Sequence, residues 1–226
     1  MKEYKAYIFD LDGTLLDSMG VWSQIDSDFL AKRGIAVPLD YMEAIAPMTF
    51  YETAAYTVKR FALPNSIEDL MLEWNEMAAY AYGNTVQMKP HAKEYLTTLR
   101  ECGAKLAIAT SLSAELCAPV LRNNGIDNFF DAVCRTDEAG YGKSHPDVFL
   151  LTAKKIEVSP QDCLVFEDLF EAVKSAKSAG FSVCAVYDKS SENYWEQIKA
   201  SADYAITDFC EAPHYAKTQN RKAAAK

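Results

Sequence analysis

Residues 5–18 read KAYIFDLDGTLLDS, and this stretch decides how the rest of the chain is interpreted. Its first part is a short apolar run of the length of a buried strand. The run ends at Asp10, and Asp12 follows one leucine later. Two carboxylates so close together repel each other in a low-dielectric environment. The stretch therefore predicts a strand that ends where a cation, a shared proton or a chemical role keeps both acids in place.

Five more apolar runs of strand length occur later in the chain: KLAIAT, DAVCR, CLVFED, FSVCAVY and ADYAIT. Segments with the helical period lie between them, among them HAKEYLTTLREC, SAELCAPVLRNNG, PDVFLLTAKKI and EAVKSAKSAG. Strands that alternate with helices are typical of a parallel sheet covered by helices on both faces. The sequence thus predicts an α/β fold.

One part of the chain breaks this alternation. From about Ser18 to Gly83 there is no run typical of a strand. Four pieces there have helical character: WSQIDSDFLAKRG, YMEAIA, TFYETAAYTVKRFA and SIEDLMLEWNEMAAYAYG. We predict a core of residues 1–16 and 87–226 and a helical domain of residues 17–86 inserted after the first strand. The final residues, KTQNRKAAAK, are typical of a frayed helix or a disordered tail.

Composition limits the classes of function. The chain has 226 residues, is 50% hydrophobic and carries a net charge of −9. An acidic chain without a basic patch is a poor nucleic-acid binder. No apolar run is long enough to span a membrane, and the N-terminal run is too short for a signal peptide. The sequence therefore predicts a cytoplasmic monomer without nucleic-acid or membrane partners.

The six cysteines are spread along the chain, with no CxxC motif and no spacing to histidine typical of a metal site. Several of them lie in apolar runs such as AVCR and SVCAV. They are predicted to be small buried thiols in a reducing compartment.

Polar side chains follow four of the predicted strands. In open α/β sheets, ligands bind outside the carboxyl ends of the strands, so these side chains are expected to converge on one edge. They are Asp10 with Asp12, Thr110 with Ser111, Lys143, and Glu167 with Asp168.

This set of side chains suits phosphoryl transfer. Mg²⁺ prefers oxygen ligands, which Asp10 and Asp168 supply, and a bound cation offsets the repulsion among the acids. A carboxylate can attack phosphorus, and a second acid can protonate the leaving oxygen. The hydroxyl of Thr110 and the ammonium of Lys143 provide contacts for phosphoryl oxygens.

The combination resembles the haloacid-dehalogenase superfamily of phosphohydrolases. FDLDGTLLDS is the most specific match, and GKSHPDVFL and VFED…AKSAG support it independently, so the resemblance covers essentially the whole chain. The chain is similar to the branch with a helical cap after the first strand, which includes β-phosphoglucomutase and phosphoglycolate phosphatase. The resemblance implies a Rossmann-like core with a small all-helical cap.

The resemblance also implies a role for each matching residue. Asp10 is expected to be the nucleophile and a Mg²⁺ ligand, and Asp12 the general acid and base, with its backbone carbonyl on the metal. The remaining expectations are phosphoryl binding by Thr110 and Ser111, charge balance by Lys143, and metal ligation by Asp168 with Glu167 beside it.

Two departures from the family pattern concern the loops. Ser144 stands where the family often has proline after the lysine, and Leu169 and Ala172 stand where it often has Ser-x-x-Gly. Small residues at the latter positions allow close backbone approach. Neither departure removes a catalytic group.

The predicted helical domain bears on the choice between a phosphatase and a phosphomutase. Sugar phosphomutases of the branch carry a histidine where Trp22 aligns and an arginine that grips the second phosphate where Phe50 aligns. Their absence here favours the phosphatase. Four residues of this domain, Trp22, Met48, Phe50 and Tyr51, either line an apolar roof over the leaving group or pack in the helical core.

Three classes of function therefore remain. The main prediction is a Mg²⁺-dependent phosphatase that hydrolyses a small phosphorylated metabolite through an aspartyl phosphate. A phosphomutase is the alternative, and a non-catalytic binding protein on the same fold is disfavoured because no catalytic group is missing. Dehalogenases of the superfamily lack the second aspartate of the first motif, so Asp12 argues against dehalogenation.

Overall fold

The sheet of this computed structural model has six parallel strands in the order β3-β2-β1-β4-β5-β6. The structure describes residues 2–45 and 50–213. The strands are β1 Ala6–Phe9, β2 Lys105–Thr110, β3 Ala132–Arg135, β4 Cys163–Glu167, β5 Ser182–Val186 and β6 Tyr204–Ile206. All six predicted strands are present, and the α/β fold with a parallel sheet is confirmed.

Ten α-helices lie in the described part of the chain. They are α1 Met19–Ala31, α2 Tyr41–Ile45, α3 Phe50–Arg60, α4 Ile67–Asn84, α5 Ala92–Glu101, α6 Ala114–Asn123, α7 Thr136–Ala139, α8 Asp147–Lys155, α9 Phe170–Ser178 and α10 Trp195–Ser201. The helical patterns predicted from the sequence correspond to eight of these. The short helices α7 and α10 were not predicted.

Side-chain alternation along β1 explains how the sheet is buried on both faces. Ala6 and Ile8 belong to an apolar cluster with residues of α8 and α9. Tyr7 and Phe9 point the other way, and both rings contact Tyr95 of α5 edge-on. Because successive side chains of a strand point to opposite faces, an uninterrupted apolar run is what a strand covered on both sides requires.

The described residues form two compact units. One consists of residues 2–16, 88–112 and 126–213 and contains the whole sheet; the other consists of residues 17–45, 50–87 and 113–125. The regular elements of the second unit are all helices. Residues 113–125 group there because α6 packs on α4 and the Asn123 amide donates to the Val86 carbonyl at 3.0 Å. The sequence pattern predicts this segment as part of the core of residues 1–16 and 87–226.

The cysteines are all free, but not all buried. Cys117, Cys134, Cys163 and Cys184 are buried, as predicted, whereas Cys102 is partly buried and Cys210 is exposed. The prediction of buried thiols is therefore wrong for Cys210, which follows the last strand rather than lying within an apolar run.

The centre of the sheet provides a test of stability. Phe166 of β4 is fully buried and stacks on Phe9, with ring centroids 4.6 Å apart. Phe166→Ala is expected to lower the free energy of unfolding by about 3–5 kcal/mol, because it removes a large buried ring and leaves a cavity. Urea unfolding followed by circular dichroism measures this. The control is Leu150→Ala, whose side chain is 40% exposed; similar losses in both variants would contradict the assignment of the core.

Candidate active site

Asp10 lies at the carboxyl end of the central strand. Phe9, the last residue of β1, pairs with Ile108 on one side and with Phe166 on the other. The Asp10 amide then donates to the Phe166 carbonyl at 3.1 Å, so its side chain emerges beside the end of β4. The strand order changes direction between β1 and β4, which is where open α/β sheets bind ligands.

Lys143 joins two of the acids. Its ammonium contacts Oδ1 of Asp10 and lies 2.6 Å from Oε1 of Glu167, and all three side chains are buried. Burial raises the pKa of Asp10 to about 7 although the nearby ammonium opposes this shift. Burial favours the neutral amine of Lys143, but the carboxylates of Asp10 and Glu167 outweigh it and raise the pKa of the lysine. Lys143 therefore remains a cation between two acids.

Glu167 has both carboxylate oxygens engaged by the protein. Oε1 accepts from Lys143, and Oε2 accepts from the backbone amides of Asp168 and Leu169 at 3.0 and 3.1 Å. This carboxylate thus fixes the turn that follows β4. Such a role suits a residue that orients its neighbours better than one that contacts a cation directly.

Asp168 presents a buried oxygen that lacks a partner. Its Oδ1 accepts from the hydroxyl of Thr14 at 2.9 Å. Its Oδ2 is buried and has no hydrogen-bond partner among the described residues. Burial, together with the nearby carboxylates of Glu167 and Asp10, raises the pKa of Asp168 well above its ordinary range. An unpaired buried carboxylate oxygen is costly, so this atom needs a proton or a cation.

The acids at this edge fit a divalent metal ion. Asp10, Glu167 and Asp168 each offer a ligand atom, and these atoms lie within 4.8 Å of one another. The donors are all oxygens, which suits a hard cation such as Mg²⁺. Such an ion would supply the missing partner of the Asp168 Oδ2 atom.

The loop after β1 is folded tightly over this edge. The amides of Thr14 and Leu16 both donate to the Leu11 carbonyl, at 3.2 and 2.9 Å. Gly13 has φ +75°, a conformation that side chains rarely adopt. A Cβ at Gly13 would press on the Asp168 carboxylate and lie 2.8 Å from its Cγ. The half-buried Asp12 belongs to the same turn.

Thr110 and Ser111 lie at the end of the neighbouring strand. Thr110 is the last residue of β2 and is 1% exposed, and its Oγ1 accepts from the Leu112 amide at 3.0 Å. The hydroxyl keeps its own proton for donation. Ser111 is exposed.

Three supporting residues were not identified from the sequence. Thr14 donates to Asp168, Gly13 leaves room for the same carboxylate, and Ser175 of α9 donates to the Lys143 carbonyl at 2.5 Å. The first two belong to the FDLDGTLLDS motif, in which only Asp10 and Asp12 are predicted to take part in the chemistry. Ser175 is one of several small residues in EAVKSAKSAG, and nothing local distinguishes it.

The two aromatic residues predicted to bind substrate lie in the helical unit. The Trp22 indole donates to the Tyr82 hydroxyl at 3.0 Å, and its ring contacts that of Phe50 at 5.8 Å. Phe50 also contacts Trp74, with ring centroids 5.7 Å apart. Both residues are partly buried. These contacts belong to the packing of the helices, and contact with substrate stays a prediction; Met48 lies outside the described residues.

A substitution at Gly13 tests the closeness of this loop to Asp168. Gly13→Ala is expected to lower turnover by about 10²-fold or more, because displacing a site carboxylate by about 1 Å has that effect. The control is Gly103→Ala, which meets the same positive φ (+81°) but has no atom within 4 Å of the added Cβ. Equal turnover in both variants, measured as phosphate release, would argue against the role given to the loop.

Comparison with known proteins identifies the family. A family model described as haloacid dehalogenase-like hydrolase matches residues 7–186. The chain belongs to the haloacid dehalogenase-like hydrolase family. The match extends from β1 to the end of β5 and therefore includes every residue of the acidic edge.

Several members of this family are similar over most of the chain. A bifunctional riboflavin kinase/FMN phosphatase of Arabidopsis thaliana is 30% identical over 88% of this chain, which spans 52% of that relative. A phosphorylated carbohydrates phosphatase of Thermotoga maritima is 26% identical, covering 78% of this chain and 82% of its own length. An (S)-2-haloacid dehalogenase of Pseudomonas is 27% identical, with 95% and 96% covered.

Solved structures share the fold. The crystal structure of CbbY from Rhodobacter sphaeroides in complex with phosphate aligns with a TM-score of 0.78 at 22% identity. The alignment covers 92% of this chain and 96% of that one.

Within the described residues of the present structure, no helix combines the length and apolar character needed to cross a membrane.

Proposed function

We propose that this chain is a Mg²⁺-dependent phosphatase that hydrolyses a small phosphomonoester through an aspartyl phosphate on Asp10. The observation that carries the proposal is the buried, unpartnered Oδ2 of Asp168, which lies in an all-oxygen cluster beside Asp10. Such a cluster provides both a cation site and a carboxylate nucleophile. The names of the phosphatase relatives support the same class of reaction.

The first half of the reaction transfers the phosphoryl group to the enzyme. A carboxylate oxygen of Asp10 forms a bond to phosphorus while the bond from phosphorus to the leaving oxygen breaks. Asp12, in its acid form, gives its proton to that oxygen. The alcohol leaves, Asp10 carries the phosphoryl group, and Asp12 has become a carboxylate.

The second half returns the enzyme to its starting state. Asp12 takes a proton from a water molecule as that water attacks phosphorus. The bond from phosphorus to Asp10 breaks, inorganic phosphate is formed, and the Asp10 carboxylate is restored. One residue therefore serves as acid and then as base, and no proton remains unaccounted for.

The other residues hold charge in place. Lys143 stays protonated between Asp10 and Glu167, so it offsets negative charge on the nucleophile and on the phosphoryl oxygens. The hydroxyl of Thr110, with Ser111, donates to those oxygens. Asp10, Asp168 and the Asp12 carbonyl would hold a Mg²⁺ ion, and Glu167 would orient the loop beside them. When bound, the ion neutralises charge that accumulates on the transferring group.

Phosphatase is favoured over phosphomutase by the residues of the helical unit. Trp22 and Phe50 stand where phosphomutases of the branch carry a histidine and an arginine, and both are engaged in aromatic contacts. Neither side chain carries a charge with which to hold a second phosphate. We infer that the helical unit is a cap that admits a small phosphorylated metabolite with a weakly charged leaving group. We also propose that the protein is a cytoplasmic monomer.

Dehalogenation is disfavoured despite the similarity to a haloacid dehalogenase. Dehalogenases of the superfamily lack the aspartate at the position of Asp12. A halide leaves without being protonated, so that reaction has no use for a general acid at this point.

A substrate panel tests the proposal. Phosphate release is measured on a broad set of phosphorylated metabolites and one aryl phosphate, with Mg²⁺ and with a chelator, and each mixture is also analysed for isomerised sugar phosphates. The expected result is phosphate release that needs Mg²⁺. Isomerisation without release would establish the mutase, and chloride release from a 2-chloro acid without phosphatase activity would establish the dehalogenase; either result contradicts the proposal.

A further inference from the structure

A second group of metal-ligating side chains lies in the sheet-containing unit. His91 precedes α5. Asp208 caps the short 3-10 helix Phe209–Glu211 that follows β6, and Cys210 lies within that helix. Although 117 positions separate His91 from Asp208, a ligand atom from each of the three residues lies within 4.8 Å of the other two. The proposed phosphatase reaction uses none of the three.

His91 and Cys210 both lie beside the Asp208 carboxylate. Nδ1 of His91 lies 2.7 Å from Oδ1 of Asp208. The backbone amide of Cys210 donates to the same oxygen at 2.8 Å, and the nearby Asp208 carboxylate raises the pKa of the Cys210 thiol. An imidazole nitrogen, a carboxylate oxygen and a thiol sulfur thus lie within 4.8 Å of one another.

The donor set differs in kind from that of the acidic edge. Nitrogen and sulfur ligands favour a borderline-soft ion such as Zn²⁺, whereas Mg²⁺ prefers oxygen. Zinc bond lengths place neighbouring ligand atoms of a tetrahedral site about 3.3–3.6 Å apart. The three ligand atoms, within 4.8 Å of one another, come near this spacing, and the His91 side chain, which is 57% exposed, has room to adjust.

We propose that His91, Asp208 and Cys210 form a binding site for Zn²⁺ or a similar transition-metal ion, with a fourth position open to water. The site fastens the start of α5 to the last described segment of the chain. These elements already meet, because the Tyr95 hydroxyl of α5 donates to the Pro213 carbonyl at 2.8 Å. A bound ion therefore acts as a structural clamp outside the catalytic machinery.

Cobalt provides a direct test, because Co²⁺ bound to a thiolate absorbs in the near ultraviolet and Co²⁺ bound only to oxygen or nitrogen does not. The full chain is titrated with Co²⁺ in excess Mg²⁺, which occupies the all-oxygen cluster. The variants are Cys210→Ser and His91→Asn, the latter because asparagine tolerates the positive φ of 58° at this position. Cys102→Ser is the matched control, since Cys102 is the other cysteine that is not fully buried.

The expected result is a band that saturates at one Co²⁺ per chain in the wild type and in Cys102→Ser and disappears when Zn²⁺ is added. Cys210→Ser is expected to lose the band, and His91→Asn to weaken Co²⁺ binding by about tenfold or more. Absence of the band in the wild type, its persistence in Cys210→Ser, or unchanged affinity in His91→Asn would overturn the proposal. Because the readout does not involve turnover, it is independent of the phosphatase assignment.

Discussion

Asp10→Asn is expected to abolish phosphate release, a loss on the order of 10⁴-fold or more, as is typical when a covalent nucleophile is removed. The amide is almost the same size as the carboxylate but does not attack phosphorus. It also withdraws one ligand from the cation cluster. Phosphate release under saturating Mg²⁺, measured with the best substrate of the panel, checks this result.

The variant is expected to fold, because Lys143 keeps its contact with Glu167 and no cavity is formed. Circular dichroism and thermal unfolding provide the comparison. Asp17→Asn is the matched control, since it removes one carboxylate of the same segment from an exposed position. We expect it to retain wild-type turnover. A folded Asp10→Asn protein with a near-normal rate would rule out the nucleophile assignment.

Asp12→Asn is expected to lower turnover by about 10²–10⁴-fold, the contribution that a positioned general acid and base typically makes. The substitution keeps the shape of the side chain within the turn of residues 11–16 and removes its ability to exchange a proton. Steady-state rates on an alkyl phosphate substrate measure the loss. Asp17→Asn again serves as the control for the removal of one charge.

The leaving group distinguishes this role from a structural one. A nitrophenolate leaves without being protonated, so Asp12→Asn is expected to release nitrophenol in a fast first turnover. The rate then falls, because the water that cleaves the aspartyl phosphate still needs a base. A loss of equal size on alkyl and nitrophenyl phosphates, with no initial burst, would indicate that the variant had disturbed the loop instead.

The strands and their order along the chain are predictable from local sequence. KAYIFD, KLAIAT and CLVFED are short apolar runs that end at polar residues, and each forms a buried strand with those residues at its carboxyl end. The brief helix α7 carries no such signal, because its four residues are too few to show a helical period. The pairing of helices is also long-range, which is why the assignment of residues 113–125 differed.

The acids of the site are predictable as a set, whereas the contacts that each acid makes are not. The sequence places Glu167 and Asp168 side by side, and the family resemblance favours Asp168 as the metal ligand without showing what Glu167 contacts. In the structure, Glu167 satisfies Lys143 and two backbone amides, while Asp168 retains an unpartnered oxygen. This difference depends on which loops return to the end of β4, and a local pattern does not contain that information.

The contacts of the supporting residues also join parts of the chain that are far apart in the sequence. The contact of Thr14 with Asp168 spans 154 positions, and that of Ser175 with the Lys143 carbonyl spans 32. His91 meets Asp208 across 117 positions. Each pair is brought together by the strand order, so these contacts become visible only when the sheet is assembled.

The most direct test of the central claim is to capture the phosphorylated enzyme. Wild-type and Asp12→Asn proteins are mixed with Mg²⁺ and nitrophenyl phosphate, quenched in acid and digested, and the peptide that contains residues 5–18 is analysed by mass spectrometry. We predict a phosphoryl group on Asp10 that accumulates in Asp12→Asn, and none in an Asp10→Asn sample treated in the same way. Substrate turnover without any phosphorylated Asp10, or with the phosphoryl group on another residue, would contradict it.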